Sequence, residues 1–403
     1  MEVQMINSVK TALDVLIAKE KIKTPVKLDV NKGSDVGDGF ISKNYVVSIK
    51  GNDDKTLSLF VKYLPEEISG VFKTIFVKAF QTERRFYEEI YPEFTKFQLN
   101  KKINDPFNNI PEYYKTKVNN GDAPLIIMEN LKCLNYVLRD VKTPIDDSHL
   151  RISIKAYARY HAISYALKDQ DFETFKRLSE DLGDFFSDSF ETVGLQTMLI
   201  SSVNQFIDSL DPVLDKIILG RCNNLLDRLS GVIKNNREKV DEYAVISQGD
   251  CRSNNLMFLY NDQNQPIDVK LIDWQCIRYN SPLLDFSYFF YTLSTKETLD
   301  KIQTYLNFYY ESLCERIIEL GSDPKKLFPR EVFIDHWRKF APFGLALSFC
   351  VIKLQLFEKD EVPDFFEKQE FDTDSLTHVN KNHKDYIDRV KVIMQHFIDN
   401  NLI

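Results

Sequence analysis

The sequence predicts an α+β chain of two unequal lobes, a small antiparallel-sheet lobe followed by a larger, mainly helical one. Three observations predict it. At 403 residues the chain is too long for one ordinary compact core. Strand-like segments crowd the stretch before Leu131, and helical periodicities dominate after it. A single late hairpin, residues 256–260 and 267–272, interrupts those helices and carries polar residues at both ends. The expected organisation is therefore a first lobe at residues 1–131 and a second at 132–403.

Taken in order, residues 1–16 place apolar side chains at helical spacing but break them with charge, which fits neither a signal peptide nor a membrane anchor. Residues 26–30, 45–50 and 57–63 read as strands, separated by GSDVGDG and GNDDK, a meander whose first turn is rich in glycine. Residues 72–91 read as a helix, with Phe72, Ile75, Phe76, Ala79, Phe80, Phe86 and Tyr87 at helical intervals. Residues 124–128 form another apolar strand, followed by Glu129, Asn130 and Leu131. Helices are then expected over 147–168, 172–189, 213–234, 283–293, 296–320, 330–357 and 383–400. Between the two strands of the late hairpin, NDQNQ supplies the turn chemistry.

Composition narrows the function classes. With 30 Phe and 19 Tyr there is ample material for cores and an apolar pocket. A net charge of -8 argues against a nucleic-acid binder, which would display a basic footprint. A nucleotide triphosphate remains compatible, because backbone amides, one lysine and a divalent cation neutralise phosphates locally. The six cysteines lack paired short spacings, so they read as reduced thiols and not as a disulfide framework or zinc site. No apolar run approaches the roughly 18 residues that span a bilayer. A cytoplasmic protein is the expectation.

The chemistry concentrates in VISQGDCRSNNLMFLYNDQNQPIDVKLIDWQ, from Val245 onward. Asp250 is a loop carboxylate, Asn255 an amide five residues later, and Asp273 a second carboxylate at the exit of the hairpin. In kinases such a loop aspartate takes the proton of the accepting hydroxyl, while the asparagine and the post-strand aspartate hold magnesium against the phosphates. Either fragment alone is also explained as a turn or a helix cap. Lys62 sits in the strand LSLFVKYLP and points either to solvent or to a phosphate. Glu83 lies mid-helix about twenty residues later, the spacing of a strand-lysine to helix-glutamate pair. Glu88 and Glu89 compete for that role, but apolar Phe80, Phe86 and Tyr87 surround the turn of Glu83. The loop holding Gly37, Gly39 and Ser42 can fold over phosphates or simply turn a hairpin. Met128 and Glu129 stand where the lobes join, and Glu129 reads equally as a surface residue. His161 reads as a core histidine, and Asp285 as a buried carboxylate bonded to the Asp250 loop.

With these residues in hand, the chain resembles the ecdysteroid 22-kinase-like (CHK-kinase-like) family, related to aminoglycoside and choline kinases within the protein-kinase-like fold. GDGFISKNYVV is similar to its phosphate loop, FVKYLP to its lysine strand, TERRFYEEIYPEF to its glutamate helix and LIIMENL to its hinge. YARYHAIS, QGDCRSNNLMF, VKLIDWQ and YNSPLLDFSYFFY resemble the later segments in order. The resemblance implies an ATP-dependent, magnesium-using kinase that phosphorylates an alcohol, with an ecdysteroid or similar apolar alcohol leading. It implies Asp250 as base, Asn255 and Asp273 as magnesium ligands, and Lys62 with Glu83 on the ATP phosphates. Gly37, Gly39 and Ser42 would form the phosphate loop, and Met128 with Glu129 the nucleotide hinge. The chain departs from the pattern at Gln248, where the family usually has histidine; glutamine can also donate and accept. Two alternatives stand beside this reading: a catalytically silent kinase-like binding module, and a kinase of choline or aminoglycoside type.

Overall fold

The computed structural model describes residues 7–33, 42–65, 70–116, 125–192, 194–362 and 373–403. Helix α1 (Asn7–Lys19) precedes a four-stranded antiparallel sheet of β1 (Lys27–Lys32), β2 (Lys43–Lys50), β3 (Thr56–Tyr63) and β4 (Leu125–Glu129), paired in that order. Helix α2 (Gly70–Arg85) runs through a π-helical turn at Phe86–Ile90 into α3 (Tyr91–Asn100). The period of two in β3 and β4 decides what faces what. Leu59, Val61 and Ile127 pack with Val9, Leu13 and Leu16 of α1 on one side of the sheet. The alternate residues, Ile126 and Met128 with partly buried Phe60, join Phe76 and Phe80 of α2 in the main core on the other. Lys62 falls in the second set, so alternation alone aims its side chain at α2.

Past the sheet come β5 (Val137–Leu138), α4 (Asp147–Gln170), α5 (Phe172–Ser179), α6 (Phe185–Ser189), α7 (Leu195–Asp208), α8 (Lys216–Arg221) and α9 (Leu225–Lys234). Strands β6 (Val245–Ser247), β7 (Leu256–Tyr260), β8 (Pro266–Leu271) and β9 (Arg278–Asn280) make two small antiparallel sheets, β5-β7-β8 and β6-β9. Helices α10 (Pro282–Leu293), α11 (Lys296–Asp300), α12 (Ile302–Glu319), α13 (Pro324–Leu327) and α14 (Arg330–Gln355) follow, and His383–Asp399 forms the last long helix. Every residue of α10 is buried. It packs against α14 so closely that a Cβ on Gly344 would meet the Ser287 carbonyl oxygen at 2.3 Å.

Three expected helices are each broken in two. The 172–189 segment divides at 180–184, where Asp181 takes a positive φ of 60° and Asp184 restarts the chain by accepting from Ser187 N–H. The 213–234 segment divides at Asn224, with φ 57°, a conformation that asparagine tolerates better than most residues. The 296–320 segment divides at Lys301, whose φ of -106° and ψ of 11° end the short α11, a helix opened by a reciprocal Thr295–Thr298 capping box. Helix α7 was not expected from the sequence, although its buried Leu195, Met198, Leu199, Ser202, Val203 and Phe206 carry the helical period. Strands β6 and β9, three residues each, also went unread; so short a run carries no periodicity.

The π-helical turn has a packing consequence. It sets the Phe86 ring flat on the Trp274 indole, with centroids 3.8 Å apart and planes 4° from parallel. Trp274 is fully buried, meets Tyr160 of α4 edge-on at 4.9 Å, and donates from Nε1 to the Leu271 carbonyl at 3.2 Å. One aromatic side chain thus joins the glutamate-bearing helix to both the hairpin exit and the helical lobe. Trp274→Ala is expected to destabilise the protein by about 3–5 kcal/mol, the usual cost of emptying a large aromatic site. Equilibrium urea unfolding checks it, and a loss under about 1 kcal/mol would mean the stack contributes little beyond contact.

Candidate active site

Lys62, on β3, is 9% exposed. Its Nζ lies 2.9 and 3.0 Å from the two carboxylate oxygens of Glu83 and 2.9 Å from Asp273 Oδ1. Burial opposes the ammonium, but Asp273 and Glu83 outweigh it and hold its pKa above the ordinary lysine value. Glu83, on α2, also receives the backbone N–H of Trp274, so its position is tied to the residue after Asp273. Glu88 and Glu89 point elsewhere: Glu88 accepts from Tyr113, and Glu89 pairs with Arg85.

Asp273 follows β8 and Ile272, whose N–H donates to the Asn255 carbonyl at 3.0 Å. That bond holds the two ends of the hairpin side by side. Asp273 has φ 64°, a left-handed conformation uncommon for a non-glycine residue, which turns its carboxylate back towards Lys62. Its second oxygen accepts from Gln275 at 3.2 Å.

Asn255 ends a 3₁₀ turn (Ser253–Asn255). Its Nδ2 donates to both the carbonyl and the Oδ2 of Asp250, at 2.8 and 2.9 Å. Both amide protons are thereby used, and the amide presents its oxygen as the remaining polar atom. Asp250 Oδ1 accepts from Tyr288 Oη at 2.8 Å, and Arg252 Nε lies 3.4 Å from Oδ2. Tyr288 and Arg252 were not singled out by the sequence reading. The available signal for Tyr288 was its position three residues after Asp285 on one apolar helix, which puts both on the same face.

That face of α10 organises the loop. Asp285 accepts the backbone N–H groups of Gln248 at 2.7 Å and Gly249 at 3.1 Å. His161 Nε2 lies 3.3 Å from the same carboxylate, and its Nδ1 is 2.8 Å from Tyr309 Oη, inside the core. Burial opposes the Asp285 charge, but His161, Arg278 and the Gln248 amide prevail and lower its pKa. Gly249 has φ 88°, and a Cβ there would stand 1.9 Å from the Cys276 carbonyl oxygen, so only glycine fits this turn. Gln248 uses both ends of its amide: Oε1 accepts from Tyr157 at 2.7 Å and Nε2 donates to the Ile272 carbonyl at 2.8 Å. It therefore links α4 to the backbone just before Asp273.

Ser42, Lys62, Met128, Glu129, Asn255 and Asp273 line one cleft of about 860 Å³, open solvent included. Phe60, Leu131, Leu138, Met257 and Ile272 give it apolar walls. Gly37 and Gly39 lie outside the described residues. Among the described residues no cluster of three His, Cys, Asp or Glu is arranged to hold a metal by itself.

The model of the ecdysteroid kinase-like family matches residues 36–322, more than half of the chain. Among solved structures, a Ralstonia eutropha JMP134 protein described as a candidate aminoglycoside phosphotransferase aligns over 97% of this chain and 98% of its own, at 14% identity and TM-score 0.44. APH(2")-IIIa, solved with GDP and kanamycin, aligns over 96% and 98%, at 11% identity and TM-score 0.41. A glucosamine kinase solved with glucosamine, ADP and inorganic phosphate aligns over 99% and 88%, at 8% identity and TM-score 0.38. No curated protein matches the chain.

The Asp285 anchor has a pH signature. A carboxylate whose folded pKa is depressed contributes stability above its unfolded pKa, about 3.9 for aspartate, and loses it as pH falls through the folded value. Asp285→Asn is therefore expected to be less stable than the parent at pH 7 by about 3–5 kcal/mol, since it strands Arg278 and two loop amides. The gap should close below about pH 4. Thermal unfolding across pH checks both statements, and a gap constant down to the most acid point would contradict the ionic role.

Proposed function

The chain belongs to the ecdysteroid kinase-like family and has a kinase-like bilobal fold, and on that premise we propose that it transfers the γ-phosphoryl group of ATP to the hydroxyl of a small apolar alcohol. The observation that carries the proposal is the convergence of Lys62, Glu83 and Asp273 within hydrogen-bonding distance, beside an Asn255–Asp250 pair. In this reading residues 1–131 form the nucleotide-binding lobe and 132–403 the catalytic and acceptor lobe. The family name favours an ecdysteroid as acceptor.

The residues suit ATP and magnesium. A magnesium ion in a nucleotide site is usually held by one or two protein oxygens together with phosphates and water. Asp273 and the free oxygen of the Asn255 amide are such a donor set. Magnesium bound there would neutralise charge on the phosphates. Lys62, released from Asp273 and still held by Glu83, would orient the phosphates as a fixed positive charge. Asp250, clamped by Tyr288 and Asn255, would accept the proton of the attacking hydroxyl. The apolar cleft walls would take the adenine, with the backbone from Met128 to Leu131 at its edge. Gln248 supports an active enzyme over a silent module, because it fills the scaffold position with two hydrogen bonds that fix both functional segments.

Asp250→Asn should leave ATP binding nearly intact while lowering turnover by about 10²–10⁴. Calorimetric ATP titration beside a coupled ADP-release assay with an ecdysteroid panel reads both, and near-normal turnover would remove Asp250 from the role of base. Asp273→Asn should weaken nucleotide binding in the presence of magnesium and much less in its absence. Equal affinities with and without the metal in the parent protein would contradict that assignment.

A further inference from the structure

A second cavity, sharing no lining residue with the first, is bounded by α4, α12 and the turn that follows α3. Its volume, open solvent included as for the first cleft, is about 890 Å³. Five cations line it: Lys101 and Lys102 from the turn, Lys155 and Arg159 from α4, and Arg316 from α12. Asp105, Glu315 and Glu319 are the facing carboxylates, so the lining carries a net excess of positive charge. The chain as a whole is at -8.

Part of this arrangement is structural. Arg159 Nη2 and Arg316 Nη2 both donate to the Asp105 carbonyl, at 2.7 and 2.9 Å, and so pin the turn to the two helices. Arg159 also pairs with the Asp105 carboxylate at 3.1 Å, and Arg316 Nη1 lies 3.2 Å from Glu319. These contacts leave a surplus. The Nε atoms of Arg159 and Arg316 are buried with no hydrogen-bond acceptor among the described residues, and Arg316 is only 6% exposed. A buried, unbonded guanidinium N–H is costly, because nothing replaces the water it has lost. Lys155 and Arg159 stand four residues apart on one helix face, where like charges repel. Burial, and then the neighbouring Arg159, push the Arg316 pKa down.

We propose that this cavity is a binding site for a small phosphate-bearing polyanion, held by Lys102 and Lys155 at its rim over a floor that Arg159 and Arg316 make positive. Such a ligand would neutralise the excess charge and accept charge-assisted hydrogen bonds from the ammonium groups at the rim. It would join the end of α3, continuous with the helix of Glu83, to α4, which carries Tyr157. The site is independent of the nucleotide cleft.

The probe is pyrophosphate in magnesium-free buffer, with ionic strength held constant by sodium chloride, read by thermal shift and calorimetry. The parent protein should show a rise in Tm. In Lys102→Glu/Lys155→Glu, whose exposed rim positions spare the fold, the apparent affinity should fall by about tenfold or more. In Lys62→Ala the response should persist. No rise in the parent beyond the chloride control overturns the proposal. So does an undiminished response in the double variant, or a response lost only in Lys62→Ala, which would place the anion in the nucleotide cleft.

Discussion

A single ammonium group, that of Lys62, is shared by Glu83 and Asp273, and the relation between the sheet, α2 and the hairpin exit depends on it. Each of the three groups is nearly dehydrated, and burying an ion costs several kcal/mol unless partners replace its water. Two carboxylates around one ammonium repay more of the cation's loss than of their own. The cluster therefore sets two carboxylates around one ammonium next to the cleft, and burial raises the Glu83 pKa in response; the magnesium proposed between Asp273 and Asn255 would offset that crowding of carboxylates.

The second layer of support is the helix α10. Its twelve residues are all buried, yet two of them are polar and face the loop that carries Asp250. Asp285 takes the two amides at the bend, Tyr288 takes the carboxylate, and Gly249 lets the bend pass against Cys276. Gln248 then reaches across to Ile272, so the Asp250 loop and the Asp273 turn are held by the same backbone. Because a glutamine amide does not titrate near neutrality, this link is independent of protonation, unlike an imidazole in the same place.

The two clefts divide the charge of the molecule. One combines apolar walls with two lysines, Lys62 and Lys132, and two carboxylates, Glu129 and Asp273, and the other is a polar cavity lined by five cations and three carboxylates. A chain of net charge -8 that concentrates five cations around one cavity has placed them against its own average field.

How much of this was legible in the residues follows from the range of each interaction. The strand period of β3 and the helix period of α2 are local, so Lys62 and Glu83 could be placed on facing surfaces from sequence spacing. The five-residue interval from Asp250 to Asn255 and the hairpin before Asp273 are local as well. Gln248 could be recognised as able to bridge, because its chemistry is written in its side chain. Its partners could not, since Tyr157 lies 91 residues away in sequence. The same holds for Tyr288 at Asp250, for the π-helical turn that brings Phe86 onto Trp274, and for the meeting of Arg159 with Arg316. Helix breaks at Asn224 and Lys301 depended on backbone conformations that composition only permits. The sequence by itself determined which segments are strand or helix and which polar residues stand at their ends, because those follow from periods of two and 3.6 residues. Tertiary structure decided which of those polar groups share a proton, an ion or a cavity, because that requires chain segments remote in sequence to exclude water together.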